Sequence, residues 1–257
     1  TTLGADDGIG IAASLAILEA TDIPHGPIDA LFTVDEETGL TGAFGLKPDL
    51  LKGRILLNLD SEDEGQIFIG CAGGRDSVGM IPLETIPVSP TAVAYKVAVT
   101  GLKGGHSGDD INKGLGNAVK LLNRFLWNAT NDLGVRIASM DAGNMRNAIA
   151  REGFAVITLA KAKAVKLEKA AKKYEAAIRE EYKVTEPGLR FAVESCELPS
   201  SVMKPALQKR LLNALYACPH GVIAMSQEIP NFVETSTNLA SVKMKEGQIL
   251  VTTSQRS

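Results

Sequence analysis

The chain has 257 residues, of which 45% are hydrophobic and 22% charged, values that argue against disorder and suit one large or two modest domains. Lys and Arg total 27 against 30 Asp and Glu, a net charge of −3, so charge gives no support to nucleic-acid binding or a polybasic membrane surface. No apolar run approaches the ~18 residues of a membrane span, and Cys71, Cys196 and Cys218 are odd in number and outside any Cys-x-x-Cys spacing, which argues against a disulfide scaffold or a zinc ribbon. The expectation is a soluble, cytoplasmic protein. Thr1–Asp6 contains no initiator Met, and Arg256-Ser257 closes a β-like run without terminal punctuation, so a segment of a longer polypeptide is also expected.

From Asp7 to about Ala20 the apolar residues Ile9, Ala12, Ala13, Ala16 and Ile17 recur at helical spacing, with Asp7 as N-cap. Ile28–Val34, Ile55–Leu59 and Gln66–Cys71 are short apolar runs bounded by Pro, Gly or charge, as buried strands are. Strand and helix at this spacing predict an α/β layer with parallel strands. Three prolines between Pro82 and Pro90 mark a boundary, giving a first domain over 1–80 and a second over 81–257.

The second domain reads as strand Ala92–Thr100, a Gly-rich loop, helix Asn112–Asn128, then strands Val135–Met140 and Phe154–Leu159. A Lys/Glu-rich helix over Val165–Lys183 follows, whose charges form a solvated face. Strand Leu189–Val193, helix Lys204–Ala217 and strands Asn238–Met244 and Ile249–Thr253 complete it. This order predicts an α+β antiparallel layer of split-βαβ type. The cysteines read as buried apolar fillers, and Phe125 and Trp127 as core or interface packing.

Acidic residues gather where first-domain strands should end: Asp6-Asp7, Asp35-Glu36-Glu37, and Asp60 with Ser61-Glu62-Asp63-Glu64. The carboxyl ends of strands in an open parallel sheet share one rim, where ligands bind. Carboxylates gathered there repel unless a cation or protons compensate, so a metal is one reading and a set of helix caps and solvated turn acids is the other. If a metal sits there, one of the adjacent Glu36 and Glu37 could ligate it while the other takes a proton from its water.

The segments GADDGIG (Gly4–Gly10), TVDEETGLTGAFGL (Thr33–Leu46), LLNLDSEDEG (Leu56–Gly65), GCAGG (Gly70–Gly74) and GLKGGHSGDDI (Gly101–Ile111) together resemble the aminoacylhistidine dipeptidases. These are Xaa-His, carnosine-hydrolysing metalloproteases of the di-zinc carboxypeptidase and dipeptidase superfamily. The resemblance continues through NMRNAIARE (Asn144–Glu152), PHGVIAMS (Pro219–Ser226), FVETSTNLASV (Phe232–Val242) and the final QRS. It implies part of a parallel-sheet zinc-peptidase catalytic domain, followed by an antiparallel-sheet lid and dimerisation domain. It also implies a homodimer acting on small dipeptides through a water that bridges two zinc ions, with no nucleic-acid or membrane partner.

Residue by residue, the resemblance makes Asp6 the carboxylate bridging two metals, Glu37 and Asp60 terminal metal ligands, and Glu36 the general base. It makes His106 the lid histidine that stabilises the oxyanion, and Asn147 and Arg256 the lid residues that hold the substrate backbone and its terminal carboxylate. The family pattern also needs an upstream His-x-Asp pair and a late His. The histidines here are His25, His106 and His220, none in that context, and His25 and His220 read as turn residues. Ala150 replaces the usual Pro after NAI. With carboxylates but no imidazoles, low zinc occupancy is expected. The alternatives are a related tripeptidase, acylamino-acid deacylase or carboxypeptidase, or a non-catalytic assembly module.

Overall fold

The computed structural model describes residues 6–61 and 64–257, with Glu37 and Thr38 described by their backbone alone. It divides into two compact units, Thr1–Ile69 and Gly70–Ser257. The expected domain border after residue 80 thus differs from the border between units. The reason is that residues 74–82, to which the sequence pattern assigns no element, form a strand paired along its whole length with the last strand of the chain.

In the first unit the helix predicted from periodicity is α1, Gly8–Glu19, capped by Asp7, whose carboxylate accepts the Gly10 N–H at 3.1 Å. Two short helices, α2 (Glu36–Gly39) and α3 (Thr41–Phe44), follow Asp35, which adopts a left-handed conformation at φ 57°. The runs Ile28–Val34, Ile55–Leu59 and Gln66–Cys71 carry no strand pairing among the described residues. Apolar composition makes a segment fit for a strand, but the ladder needs a neighbour. Here the Asp29 carboxylate is the tie, accepting the N–H groups of Lys52 and Gly53, and Ile55 and Leu56 remain 85% and 80% exposed.

The second unit is an antiparallel sheet backed by helices. Its strands are β1 (Gly74–Pro82), β3 (Ala92–Thr100), β4 (Arg136–Ala142), β5 (Gly153–Ala160), β6 (Arg190–Cys196), β8 (Gly221–Met225), β9 (Val233–Lys245) and β10 (Gln248–Arg256). The order is β1-β10-β9-β4-β5-β3-β6, with β8 also on β9, and a separate pair joins β2 (Thr85–Pro87) to β7 (Ser201–Met203). Glu246 and Gly247, both at positive φ, make the two-residue turn that a β9–β10 hairpin requires. The helices are α4 (Ala118–Leu133), α5 (Ala164–Glu181) and α6 (Pro205–Ala217), the last opening with Pro at the position where a missing N–H is harmless.

Helix α4 is the keystone of the core, packed between α5 and α6 and against the sheet. It starts six residues later than the periodicity predicts, because Gly114 sits at φ +65° and Asn117 supplies the cap, its side chain accepting the Lys120 N–H. Its Leu121, Leu122, Phe125 and Leu126 are buried, each contributing roughly 1.5–3 kcal/mol of burial. Phe125 meets Tyr174 and Phe191 at ring-centroid separations of 5.4 and 4.7 Å, while Trp127 packs beside Tyr216 of α6. Cys71 and Cys196 are exposed rather than buried, and Cys218 is intermediate; exposed ends of the segments that carry them leave no interior for the thiols to fill.

A bulge between Ile137 and Ser139 of β4 interrupts its ladder with β5. Gln208 of α6, wholly buried, repairs the gap: its Oε1 accepts the Ile137 N–H, and its Nε2 donates to Val135 O and Thr130 Oγ1. Gln208→Leu keeps the volume but strands those groups, and we expect a loss of about 2–4 kcal/mol in urea-unfolding stability with the far-ultraviolet spectrum unchanged.

Candidate active site

Asp6, Asp7 and Asp60 come together in the first unit, one carboxylate oxygen of each lying within 4.8 Å of the other two. Asp6 and Asp7 open α1 and Asp60 ends an extended run. Slight desolvation raises the exposed Asp60 carboxyl above its usual range, and the charges of Asp6 and Asp7 with a hydrogen bond to Asp6 raise it further. A divalent cation relieves the same repulsion. As a donor set, three carboxylates suit such a cation, while zinc would lack the nitrogen or sulfur donors it favours. Asp7, named both as a cap and with Asp6 among the gathered acids, does both: one of its oxygens caps α1, and its carboxylate joins the cluster. Glu36 is exposed at the start of α2 and is not in the cluster. The Glu37 side chain, and Glu62 and Asp63, lie outside the described residues.

The second unit brings His106, Asn147 and Arg256 together. His106 lies in the Gly-rich loop after β3 and forms an isolated antiparallel bridge with Ala148. That bridge is framed by Ser107 N–H donating to Asn147 O and Ile149 N–H donating to Gly105 O, both at 2.8 Å. The loop folds back on itself because Asp110 Oδ2 accepts the His106 N–H at 2.7 Å. Gly105 is required there, since a Cβ would stand 2.6 Å from that same oxygen.

The imidazole Nδ1 lies 2.8 Å from Asp109 Oδ2, and Nε2 lies 3.3 Å from Arg256 Nη2. A guanidinium can only donate, so Nε2 presents its lone pair to Arg256, while Nδ1 faces both the Asp109 carboxylate and, at 3.3 Å, the Asp109 N–H. Asn147 is exposed, and His106 and Asn147 share the wall of a groove of about 680 Å³ that also includes Arg151, Phe154 and Lys243.

Two groups whose roles the sequence pattern does not show stand behind this loop. Glu186, 2% exposed, accepts the Lys103 N–H and the Gly116 N–H, both at 2.8 Å, one with each carboxylate oxygen. It thereby ties the two ends of the loop that carries His106. His220, expected as a turn residue, is instead largely enclosed: its Nδ1 faces Asn117 Nδ2 and accepts the Leu239 N–H, each at 3.3 Å. His25, by contrast, is exposed beside Gly26 O. No local pattern marks Glu186 or His220, because their partners are main-chain and cap groups far along the chain.

A family profile described as "Peptidase dimerisation domain" matches residues 92–186. The cytosol non-specific dipeptidase of Escherichia coli (strain K12) is 40% identical over 249 residues, 97% of this chain and 51% of that protein. The crystal structure of aminoacylhistidine dipeptidase from Vibrio alginolyticus matches at a TM-score of 0.85 and 42% identity, covering 100% of this chain and 52% of that one. The chain is homologous to the aminoacylhistidine dipeptidases. The second unit accordingly corresponds to an antiparallel-sheet lid and dimerisation domain of that group. An uncharacterized protein of Bacillus subtilis (strain 168), YqjE, is 30% identical over 190 residues, 70% of this chain and 46% of that protein. The chain spans about half the length of the curated relatives it matches.

Behind the lid cluster, burial pushes the His220 imidazole down to about 4, and the charge of Lys120 adds to the effect. The unfolded ring takes a proton near pH 6.5 and the folded ring only near 4, so the unfolded chain binds more protons between those values. The stability held by neutral His220 is therefore complete above about pH 6.5 and lost as pH falls toward 4, an effect of about 3 kcal/mol. The difference in urea-unfolding free energy between the wild type and His220→Gln should shrink across that window and stay flat from pH 7 to 8.

Proposed function

We propose that this chain is the central part of a metal-dependent dipeptidase that cleaves Xaa-His or similar dipeptides, its second unit serving as lid and dimerisation domain. The observation that carries this reading is the match to dipeptidases over 97% to 100% of the chain. The Asp6–Asp7–Asp60 cluster and the donor cluster at His106 support it. Two zinc ions per site are proposed for the intact protein, held in part by Asp6, Asp60 and Glu37, with low occupancy in this chain. When bound they would supply Lewis acidity and lower the pKa of water toward ~7.

The remaining work falls to the side chains. Glu36 takes the proton from the attacking water and returns it to the leaving amine. Arg256, whose planar fork suits a carboxylate, holds the substrate's free C-terminus, and Asn147 holds its backbone. A carboxylate that takes over the Arg256 donors frees His106 Nε2 from the guanidinium, and the imidazole is then the group that stabilises the developing oxyanion. A cytoplasmic location accords with the name of the Escherichia coli relative; no helix among the described residues is long and apolar enough to cross a membrane. A homodimer accords with the dimerisation-domain match, and that match also favours the second reading, in which this chain alone is an assembly module without catalytic activity.

In a polypeptide spanning the full length of the relatives, Glu36→Gln should lower kcat by roughly 10²–10⁴-fold with metal content preserved; ordinary turnover by the variant would remove Glu36 from the proposed role. After dialysis against zinc, atomic absorption on this chain should find less than one ion per molecule and dipeptide assays no hydrolysis. Two tightly held ions would refute the assigned shortage of donors.

A further inference from the structure

Strand β9 carries a wholly buried side chain that the proposed chemistry does not use. Asn238 is 0% exposed, and its Nδ2 donates to the main-chain carbonyls of Arg146 at 3.1 Å and Ala148 at 2.8 Å. Those residues stand on either side of Asn147. Two carbonyl acceptors can be served only by the amide nitrogen, which fixes the orientation of the group. Its Oδ1 has no partner among the described residues. A buried, unpaired acceptor is unfavourable, so this position carries a penalty that an apolar residue would avoid, and the double donation is what the amide supplies in return.

The grip is passed on through the main chain. Once Arg146 and Ala148 are held, the Asn147 carbonyl between them is placed to accept the Ser107 N–H, and Ile149 is placed to donate to Gly105 O. Those two bonds enclose the His106–Ala148 bridge. Asn238 itself cannot drift, because the next residue, Leu239, gives its carbonyl to Asn117 Nδ2 at 2.9 Å and its N–H to His220 Nδ1. The Asn147 side chain meanwhile stays exposed at the groove.

We propose that Asn238 is the positioning residue of this site, setting the segment that carries Asn147 and, through its bridge, the loop that carries His106. The functional meaning rests on the reading of His106 and Asn147 as substrate-facing groups. The test does not depend on hydrolysis, so the two can fail separately.

Asn238→Asp is nearly isosteric but turns acceptors toward two carbonyls. Asn123→Asp is the matched control: Asn123 is also buried, donates to Leu212 O at 3.1 Å, and likewise leaves Oδ1 unpaired. Amide exchange by NMR on this chain should show Ser107 and Ile149 exchanging about tenfold faster in Asn238→Asp, relative to Leu167 and Ile178 in α5. The His106 ring signals should move in the same variant, and neither change should occur in Asn123→Asp. Unchanged protection at Ser107 and Ile149 in Asn238→Asp, or an equal loss in Asn123→Asp, overturns the proposal. If Asn238→Asp does not fold, Asn238→Ser, uncharged and too short to reach both carbonyls, is read by the same criteria.

Discussion

The second unit is organised by the length of β9 and by what that strand must satisfy. Its 13 residues pair with β10, β4 and β8, so most of its backbone is used within the sheet. Yet Ser236, Thr237, Asn238 and Ser241 are buried polar residues in a position where Val or Ile would pack better. Burying polar groups is tolerable only with partners, and the partners of Asn238 and of the Leu239 backbone are the loop at Asn147, the Asn117 cap and His220. The strand thus joins the sheet, the start of α4 and the groove wall in one hydrogen-bonded arrangement. The core sets where β9 lies, and β9 sets where the loops lie.

A different device holds the His106 loop from the other side. Glu186 is a buried carboxylate whose described hydrogen bonds are to main-chain N–H groups at the two ends of the loop. Charge-assisted bonds of this kind are stronger than neutral ones. Between these ends the loop is glycine-rich, so its backbone has freedom that must be removed by contacts rather than by local propensity. Glu186, Asp110 and the bridge to Ala148 remove it at separate points along the loop.

How much of this was legible in the sequence depends on where each partner lies. Strand β3 carries the same bounds as predicted and α6 starts one residue late, because prolines and polar turns bracket both. The start of α4 was misplaced because periodicity continues through Gly114 and Gly116, where the backbone does not. Strand β1, with charge, Gly and a terminal Pro, lacks the alternation of a half-buried strand; it is an edge strand defined by β10, 178 residues away at the Ser77–Gln255 contact. Asp6 and Asp60 were visible as acids at the ends of apolar runs, whereas His106, Asn147 and Arg256 became candidates only through family resemblance. The bonds made by Glu186, Asn238 and His220 were not visible, since a side chain that serves distant main-chain atoms leaves no spacing to read.

The chemistry of the two clusters is complementary in sign. Asp6, Asp7 and Asp60 offer only acceptors once ionised and call for positive charge. Arg256 and Asn147 offer donors and call for an anion or a carbonyl, with His106 able to join them once protonated. A dipeptide carries both an amide to be polarised and a terminal carboxylate to be held, and its hydrolysis passes through an oxyanion. A chain with only the first cluster could bind a cation without orienting a peptide. A chain with only the second could hold a carboxylate without activating water. Each cluster therefore states its own chemistry within its own unit, the acids toward a cation and the guanidinium and amide toward an anion or a carbonyl.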